Sequence, residues 1–522
     1  MDVSAFVALL LFIALISLLL LFAATTRKGS TTSSRDGRRL PPSPPGLPLL
    51  GHLPLLGPLP HRALRAMAAT HGPVMLLRLG RVPTVVVSSA AAAQEVMKTR
   101  DLAFASRPRV RMAERLLYGR DMAFAPYGER WRQARRVAVL HLLSHRRVRE
   151  QEAAAMVDRV RRGASSGGGA VNLNAVLISY TNGIISRAAF GDDDRSFGFD
   201  GGEKLAKVFA EFEELLGTVT MGEFVPWLGW VDTLTGLDAR TARMAEEMDA
   251  LVERVVADHR RRRRRRGVRR EADAEGDDDH RDFVDVLLDV NEAEEQTGGG
   301  GGVLFDDVAI KAMVLVMFAA ATDTTYTALV WAMAELVNHP NEMRRVQDEV
   351  RAAVAAGDHA IVTEDHLDEL RYLKCVIKET LRLHAPLPLL LPHETTEDTE
   401  LLGYHVPART RVIVNAWAIA RDPAAWERPD EFVPERWLAG GGDDDYMFAQ
   451  DFRLVPFGAG RRGCPGVGFA LPSMELALAS LLYHFDWELP AGGASKLEMD
   501  ELNGLSVRLK ATLNLVAKQW SR

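Results

Sequence analysis

Hydrophobic positions follow three patterns along the 522 residues. Ala5 to Ala24 carries no charge, and eleven of its 20 residues are Leu, Ile or Val. At ~1.5 Å per residue that run makes about 30 Å of helix, the thickness of a bilayer core. From 60 to 390 apolar residues recur three and four apart among Ala, Leu and Arg, which predicts helices. Strand-like segments are sparse: Val74–Leu79, Thr84–Val87, Arg411–Val414 and a C-terminal candidate at Leu505–Leu515. Asp306–Asn338 is the longest uninterrupted helix candidate, bounded by a glycine run and Pro340. The expected class is mainly α with a smaller β region, preceded by one N-terminal transmembrane helix.

The flanks sharpen the reading of the first span. Only Met-Asp-Val-Ser precedes it, whereas Arg27, Lys28, Arg35, Arg38 and Arg39 follow. A cleaved signal peptide has a basic start and a shorter apolar core of roughly 7–15 residues. The expectation is therefore an anchor at 1–26 with the following chain on the cytosolic side. Pro41 to Pro48 holds five prolines, so 27–50 reads as a basic, stiff, extended hinge before a body at 51–522. Within that body, Arg260–Arg266 is seven consecutive arginines, followed by Asp277–Asp279 and Gly298–Gly302. The acidic block cancels most of the basic field, so 259–302 is expected to be a solvated, mobile loop. The segment Phe224–Trp230 either dips into a membrane interface or roofs an access channel.

Composition narrows the chemistry. With 47% hydrophobic and 26% charged residues the chain is globular, and a net charge of −6 gives no general reason to expect nucleic-acid binding. Two cysteines, Cys375 and Cys464, exclude a disulfide framework and an all-cysteine zinc site. Cys375 has no glycine or helix terminus beside it and reads as a small buried hydrophobe. Cys464 ends Phe457-Gly-Ala-Gly-Arg-Arg-Gly-Cys464, just before a helix candidate at Val467–Ser480. Glycines there allow close approach to a flat ligand, and a helix start with nearby arginines favours a thiolate. The same stretch contains G-x-G-x-x-G after a strand-like Arg453–Phe457. A dinucleotide site would also need a βαβ unit and an acidic residue about 20 positions on, and neither follows. A second oddity is Thr322-Asp323-Thr324-Thr325, poor helix formers inside an apolar helix candidate. A carboxylate there must meet a partner, water or a ligand.

Phe457, Gly460, Arg462, Cys464 and Gly466 fill F-x-x-G-x-R-x-C-x-G, which resembles the haem-binding signature of cytochrome P-450 monooxygenases. Further matches occur in the family's order: Trp131-x-x-x-Arg135, Ala320–Thr325, Glu379-x-x-Arg382 and Pro434–Trp437 with Arg436. Phe104-Ala-Ser-Arg-Pro108 and Lys378–His384 are similar to plant A-type microsomal members. An E-x-x-R alone is weak, since Glu342-Met-Arg-Arg345 has the same spacing and reads as a surface pair.

The resemblance implies the cytochrome P-450 fold, haem b and Cys464 as the thiolate below the iron, a ligand that favours O–O cleavage. Trp131, Arg135, Arg462 and His393 would meet the haem propionates, with Phe457 and Gly466 completing the cofactor site. Asp323 and Thr324 would relay protons for oxygen activation, Thr324 as the near donor and Asp323 as the feeder. Ala321 stands where the family prefers glycine. Phe318, Ala321, Leu389, Leu390 and Leu505 would line the substrate pocket, and Glu379, Arg382 and Arg436 would form a structural charge network. Implied partners are NADPH–cytochrome P-450 reductase, with cytochrome b5 as a further donor, a hydrophobic small molecule and membrane lipid of the endoplasmic reticulum. Arg130, Arg132, Arg136 and Arg461 are candidates for the docking patch. Two other readings stay open: a haem-dependent oxime dehydratase or rearrangement enzyme that needs no dioxygen, and a non-catalytic haem-binding protein.

Overall fold

A computed structural model describes residues 37–521, apart from 142–145, 166–169, 192–202, 271–281, 297–304, 357–360, 439–450 and 493–494. The expected anchor at 1–26 and the first part of the hinge lie outside the described residues.

The longest apolar pattern forms the central helix. Its N-cap Asp306 accepts a hydrogen bond from Ala309 N at 2.8 Å, which typically stabilises a helix by about 1 kcal/mol. The helix ends at Asn338, where Pro340 opens the next one. We label the elements used below α1 (Glu129–His141), α2 (Leu173–Phe190), α3 (Glu203–Leu216), α4 (Leu237–Arg270), α5 (Phe283–Gln296), α6 (Asp307–Asn338), α7 (Arg371–Leu383) and α8 (Val467–His484). α6 is apolar on nearly every side because α2, α4, α7 and α8 all pack on it. α6 and α8 are each long and apolar enough to cross a bilayer, yet most of each is buried within the protein.

A small sheet packs beside this helical body. β1 (Val74–Leu79) pairs antiparallel with β2 (Val82–Val87), β2 runs parallel to β4 (Arg411–Val414), and β3 (His393–Glu394) closes the edge antiparallel to β4. This register places His393 opposite Val412, on the side of the sheet nearest the helices' cavity.

Several expectations are corrected. The seven arginines expected in a loop form the last turns of α4, and 283–296 is a second helix, α5. Arginine is a good helix former, and neighbouring acids relieve the repulsion. Arg260 bonds Asp307 at 3.1 Å, while Arg263 donates to Asp285 O at 2.8 Å and also pairs with Asp289. The proline run is extended and is tied to the body. Pro42 O accepts from Leu76 N at 2.9 Å, and Pro44 O meets His52 Nε2 at 2.8 Å. Of Leu505–Leu515, only Arg508–Leu509 and the start of Asn514–Gln519 are strands. Arg453–Phe457 is a series of turns, so the G-x-G-x-x-G lacks the strand that a dinucleotide site needs. Arg345 pairs with Glu435 at 2.8 Å and stacks on Tyr372.

Candidate active site

The cysteine loop is shaped by backbone contacts. Cys464 N donates to Phe457 O at 2.8 Å, which folds the loop back on itself. Gly460 has φ +65°, and a Cβ there would lie 1.9 Å from Met97 O, so no other residue fits. Gly466 N points at Cys464 Sγ from 3.3 Å. The thiol opens onto a cavity of about 230 Å³ between this loop, α1, α6 and the segment 386–393. Burial raises the thiol pKa, opposed by the Gly466 N–H and the Arg135 charge. The other cysteine, Cys375, is buried on α7, and burial moves its pKa up to about 11, as expected for an inert packing thiol.

One wall of the cavity is a face of α6: Met317, Ala320, Ala321, Thr324 and Ala328, at helical spacing. Thr324 Oγ1 donates to Ala320 O at 2.7 Å, one turn back, and α6 stays α-helical through Ala321. Two expected pocket or relay residues lie off this face for the same reason, helical phase. Phe318 is buried behind it and stacks on Phe190 at 6.0 Å. Asp323 does not line the cavity; its Oδ1 lies 2.5 Å from Arg508 Nη2. Leu390 does line the cavity, but Leu389 packs toward the small sheet and Leu505 against the helical core. Within 386–391 the contact comes from Pro386, Leu387, Leu390 and Leu391.

The rim opposite the apolar wall is cationic. Arg107, Arg135 and Arg462 line the cavity with Trp131 and His393, and no Asp or Glu does so among the described residues. Arg135 Nη1 donates to Gly463 O at 2.7 Å, and Trp131 Nε1 donates to Met122 O at 3.1 Å. The Arg462 guanidinium stacks 4.1 Å over the Trp131 ring, and its Nη1 is buried without a partner. Burial and the neighbouring Arg135 charge lower the Arg462 pKa to about 10. Such crowding of cations around an orphaned donor, only partly offset by buried Asp121, is the complement of a flat ligand carrying carboxylates.

Arg107 was read only as part of a plant-type sequence pattern, and its role in the rim was missed. It is buried, donates to Leu391 O at 2.7 Å and Pro392 O at 3.0 Å, and burial with the Arg462 charge lowers its pKa to about 9. The signal was an arginine within an otherwise small and apolar stretch. His393, expected to help hold propionates, is neutral. Burial and the Arg107 charge lower its pKa to about 3. Its Nδ1 lies 2.9 Å from Phe104 O and must carry the hydrogen, which leaves Nε2 an acceptor. Asp121, also missed, accepts from Ala123 N and Phe124 N at 2.8 Å each. It thereby orients the turn whose carbonyls at Ala123 and Ala125 receive Arg107 and Arg462.

Behind the site, Glu379 and Arg382 are fully buried and form a two-point pair at 2.8 and 2.9 Å. Arg436 Nε and Val433 N donate to the first Glu379 oxygen, and Trp437 Nε1 to the second, at 2.9–3.0 Å. The remaining Arg382 donors reach carbonyls of Ala420, Pro429 and Glu431. The network is therefore satisfied, as expected for a structural role.

Comparison with known proteins shows the family. Residues 41–514 match the family model for Cytochrome P450. The chain is 44% identical over 486 residues to "Cytochrome P450 736A117" of Prunus mume, covering 91% of this chain and 90% of that protein. It is 46% identical over 482 residues to "Cytochrome P450 71A1" of Persea americana, covering 90% and 91%. It is 43% identical to "Norfluorocurarine oxidase" of Strychnos sp, covering 92% and 93%. Among solved structures, a zebra fish cytochrome P450 with abiraterone superimposes at TM-score 0.73, with 25% identity, over 89% of this chain and 100% of that one. The chain belongs to the cytochrome P450 family. It is a haem-thiolate monooxygenase by class, and its cofactor is thiolate-ligated haem b.

Proposed function

We propose that this protein is a membrane-anchored monooxygenase that inserts one oxygen atom of dioxygen into a lipophilic small molecule with NADPH-derived electrons. The observation that carries the reading is one cavity shared by the Cys464 thiol, the Thr324 groove and three arginines, with no acid on its wall among the described residues. Haem bound there supplies the redox-active iron that activates dioxygen. Cys464 would be its protein ligand, with Phe457 and Gly466 shaping the loop around it. Arg107, Arg135 and Arg462, with Trp131, would hold the propionates, and His393 would fix the carbonyl ring around them. Thr324 presents a hydroxyl on the cavity wall, oriented by Ala320 O, and would be the near proton donor. Leu390, Ala321 and Met317 offer an apolar wall that excludes water and suits a hydrophobic substrate.

Electrons would arrive from NADPH–cytochrome P-450 reductase, with cytochrome b5 as a further donor. Arg130, Arg132 and Arg136 are exposed on α1, which Arg135 joins to the cysteine loop. Arg461 is half exposed, with Asp101 at 2.9 Å. An acidic flavoprotein would meet these charges first, so turnover should fall steeply with ionic strength. Endoplasmic-reticulum attachment would rest on Ala5–Ala24 together with an apolar rim of Leu47, Leu49, Trp227 and Trp230. Leu50, Leu53 and Leu228 of the same segments pack together beneath that rim, where the chain enters from its N-terminal side. None of Phe224–Trp230 lines the cavity, which favours the interface over a roof.

The test is the reduced carbon-monoxide difference spectrum of microsomes. Cys464→Ala should abolish the thiolate-type Soret band, and a normal band in that variant overturns the assignment. Turnover that persists without NADPH would instead favour the dioxygen-independent alternative.

A further inference from the structure

α3 carries three glutamates near its end, and they meet different fates. Glu211 and Glu214 pair with Arg240 near the surface at 2.8 and 3.1 Å. Glu213 lies on the apolar face with Phe212, Leu215 and Leu216, and is only 3% exposed. It is directed at the side of α6 that faces away from the cavity, where Asp323 is also buried. The charges acting on Glu213 are Asp323 on α6 and Arg508 on the C-terminal strand Arg508–Leu509. Asp323 further faces Tyr326, whose hydroxyl accepts from Asn174 Nδ2 of α2 at 2.8 Å. Two carboxylates therefore share one guanidinium, which is already committed to Asp323 Oδ1 at 2.5 Å. Among the described residues, Glu213 Oε1 and Asp323 Oδ2 have no hydrogen-bond partner.

A buried carboxylate without its own counter-charge is costly, and taking up a proton is the cheaper state. We propose that Glu213 is held as a neutral carboxylic acid beside the Asp323–Arg508 salt bridge, as the proton reserve from which Asp323 feeds Thr324. The proposal rests on the monooxygenase reading above. In the step, one proton leaves the Glu213 carboxyl and is taken up by the Asp323 carboxylate. Glu213 becomes the carboxylate that Arg508 neutralises, so the net charge of the cluster does not change. Asp323, one position before Thr324 on α6, is the group through which that proton would reach the cavity side of the helix. Glu213 is reprotonated from solvent on the Arg508 side, where that side chain is 28% exposed. Burial and the Asp323 charge both push the Glu213 pKa well above its ordinary 4.5, with Arg508 opposing. Glu213 is thus a positioning and proton-holding residue outside the cavity.

The test is infrared spectroscopy of the holoenzyme at about pH 7.5, with H/D exchange to identify protonated carboxyl C=O bands. One such band should vanish in Glu213→Gln and survive in Asp323→Asn. Its absence from the wild type, or its loss in Asp323→Asn with retention in Glu213→Gln, overturns the proposal. Coupling supplies the second readout. Glu213→Gln should at least triple the fraction of NADPH electrons that emerge as hydrogen peroxide, and Glu213→Asp should restore part of the loss. Unchanged coupling in Glu213→Gln while Thr324→Ala uncouples removes the reserve but leaves the monooxygenase reading intact. Unchanged coupling in both variants removes the reserve and takes Thr324 out of the relay, whereas product formed without NADPH is the result that overturns the monooxygenase reading itself.

Discussion

Two buried acid–base clusters flank the cavity and were built to opposite rules. In the Glu379–Arg382–Arg436 network each carboxylate oxygen accepts two or more donors, and the guanidinium ends on carbonyls. In the Glu213–Asp323–Arg508 cluster one cation serves two acids, and an oxygen of each acid is left over. In both the carboxylates are buried, so burial of the acids does not explain the difference. A satisfied network has one arrangement and gives rigidity. An under-satisfied one has nearly equal alternatives for a proton, which suits a relay and costs stability.

The contrast is most sharply tested at Glu379. Glu379→Ala leaves two guanidinium groups and an indole N–H unpaired, and should cost about 3–5 kcal/mol. The expected result is little or no folded holoprotein, read as carbon-monoxide-binding haem per milligram. A stable, fully loaded variant would erase the distinction between the clusters.

Thr324→Ala should behave in the opposite way. It removes one hydrogen bond to Ala320 O, worth about 0.5–1.5 kcal/mol, so the spectrum and urea midpoint should barely move. Product per NADPH should fall roughly tenfold or more while hydrogen peroxide rises, in the range for loss of a positioned proton donor. Unchanged coupling would take Thr324 out of the chemistry.

Glu501 lies between the extremes and is expected to have the smallest effect. Burial raises its pKa, but hydrogen bonds from His61 at 3.0 Å and Arg62 at 2.7 Å outweigh this and hold it at about 2, below the usual 4.5. Because the folded pKa is depressed, its stabilisation is present above about pH 4.5 and is lost as pH falls toward 2. With Arg62 half exposed, solvent screening limits the effect to about 2 kcal/mol at most. Glu501→Gln should flatten the acid limb of urea stability measured from about pH 5 down to 3. An unaltered acid limb would show that this carboxylate contributes nothing.

The legibility of the site followed the spacing of its parts. Cys464 and its glycines are local, because a loop that must fold back within ten residues shows its needs in consecutive letters. Gly460 is an example, since Met97 O leaves no room for a Cβ. The Glu379–Arg382 pair could be read because three residues make one helical turn. The errors at Phe318 and Leu389 were errors of phase, since neighbouring residues on one helix or turn face different partners. For Phe318 the spacing of Met317, Ala320, Ala321, Thr324 and Ala328 already held the answer. Arg107 was harder, because two of its three carbonyl partners lie 284 and 285 positions away.

What the sequence by itself determined was the set of local requirements: a long apolar helix capped by Asp306, a glycine-shaped cysteine loop, and a proline run that cannot become helix. These follow from backbone sterics and from hydrophobic period, which act over a few residues. Tertiary structure alone decided which charges are shared. The arginine run became helix, with Arg260 reaching Asp307 and Arg263 reaching Asp285 and Asp289. Of three glutamates within four positions, Glu213 alone was pressed against Asp323. Coulomb energy depends on distance and desolvation, and the folded chain sets both.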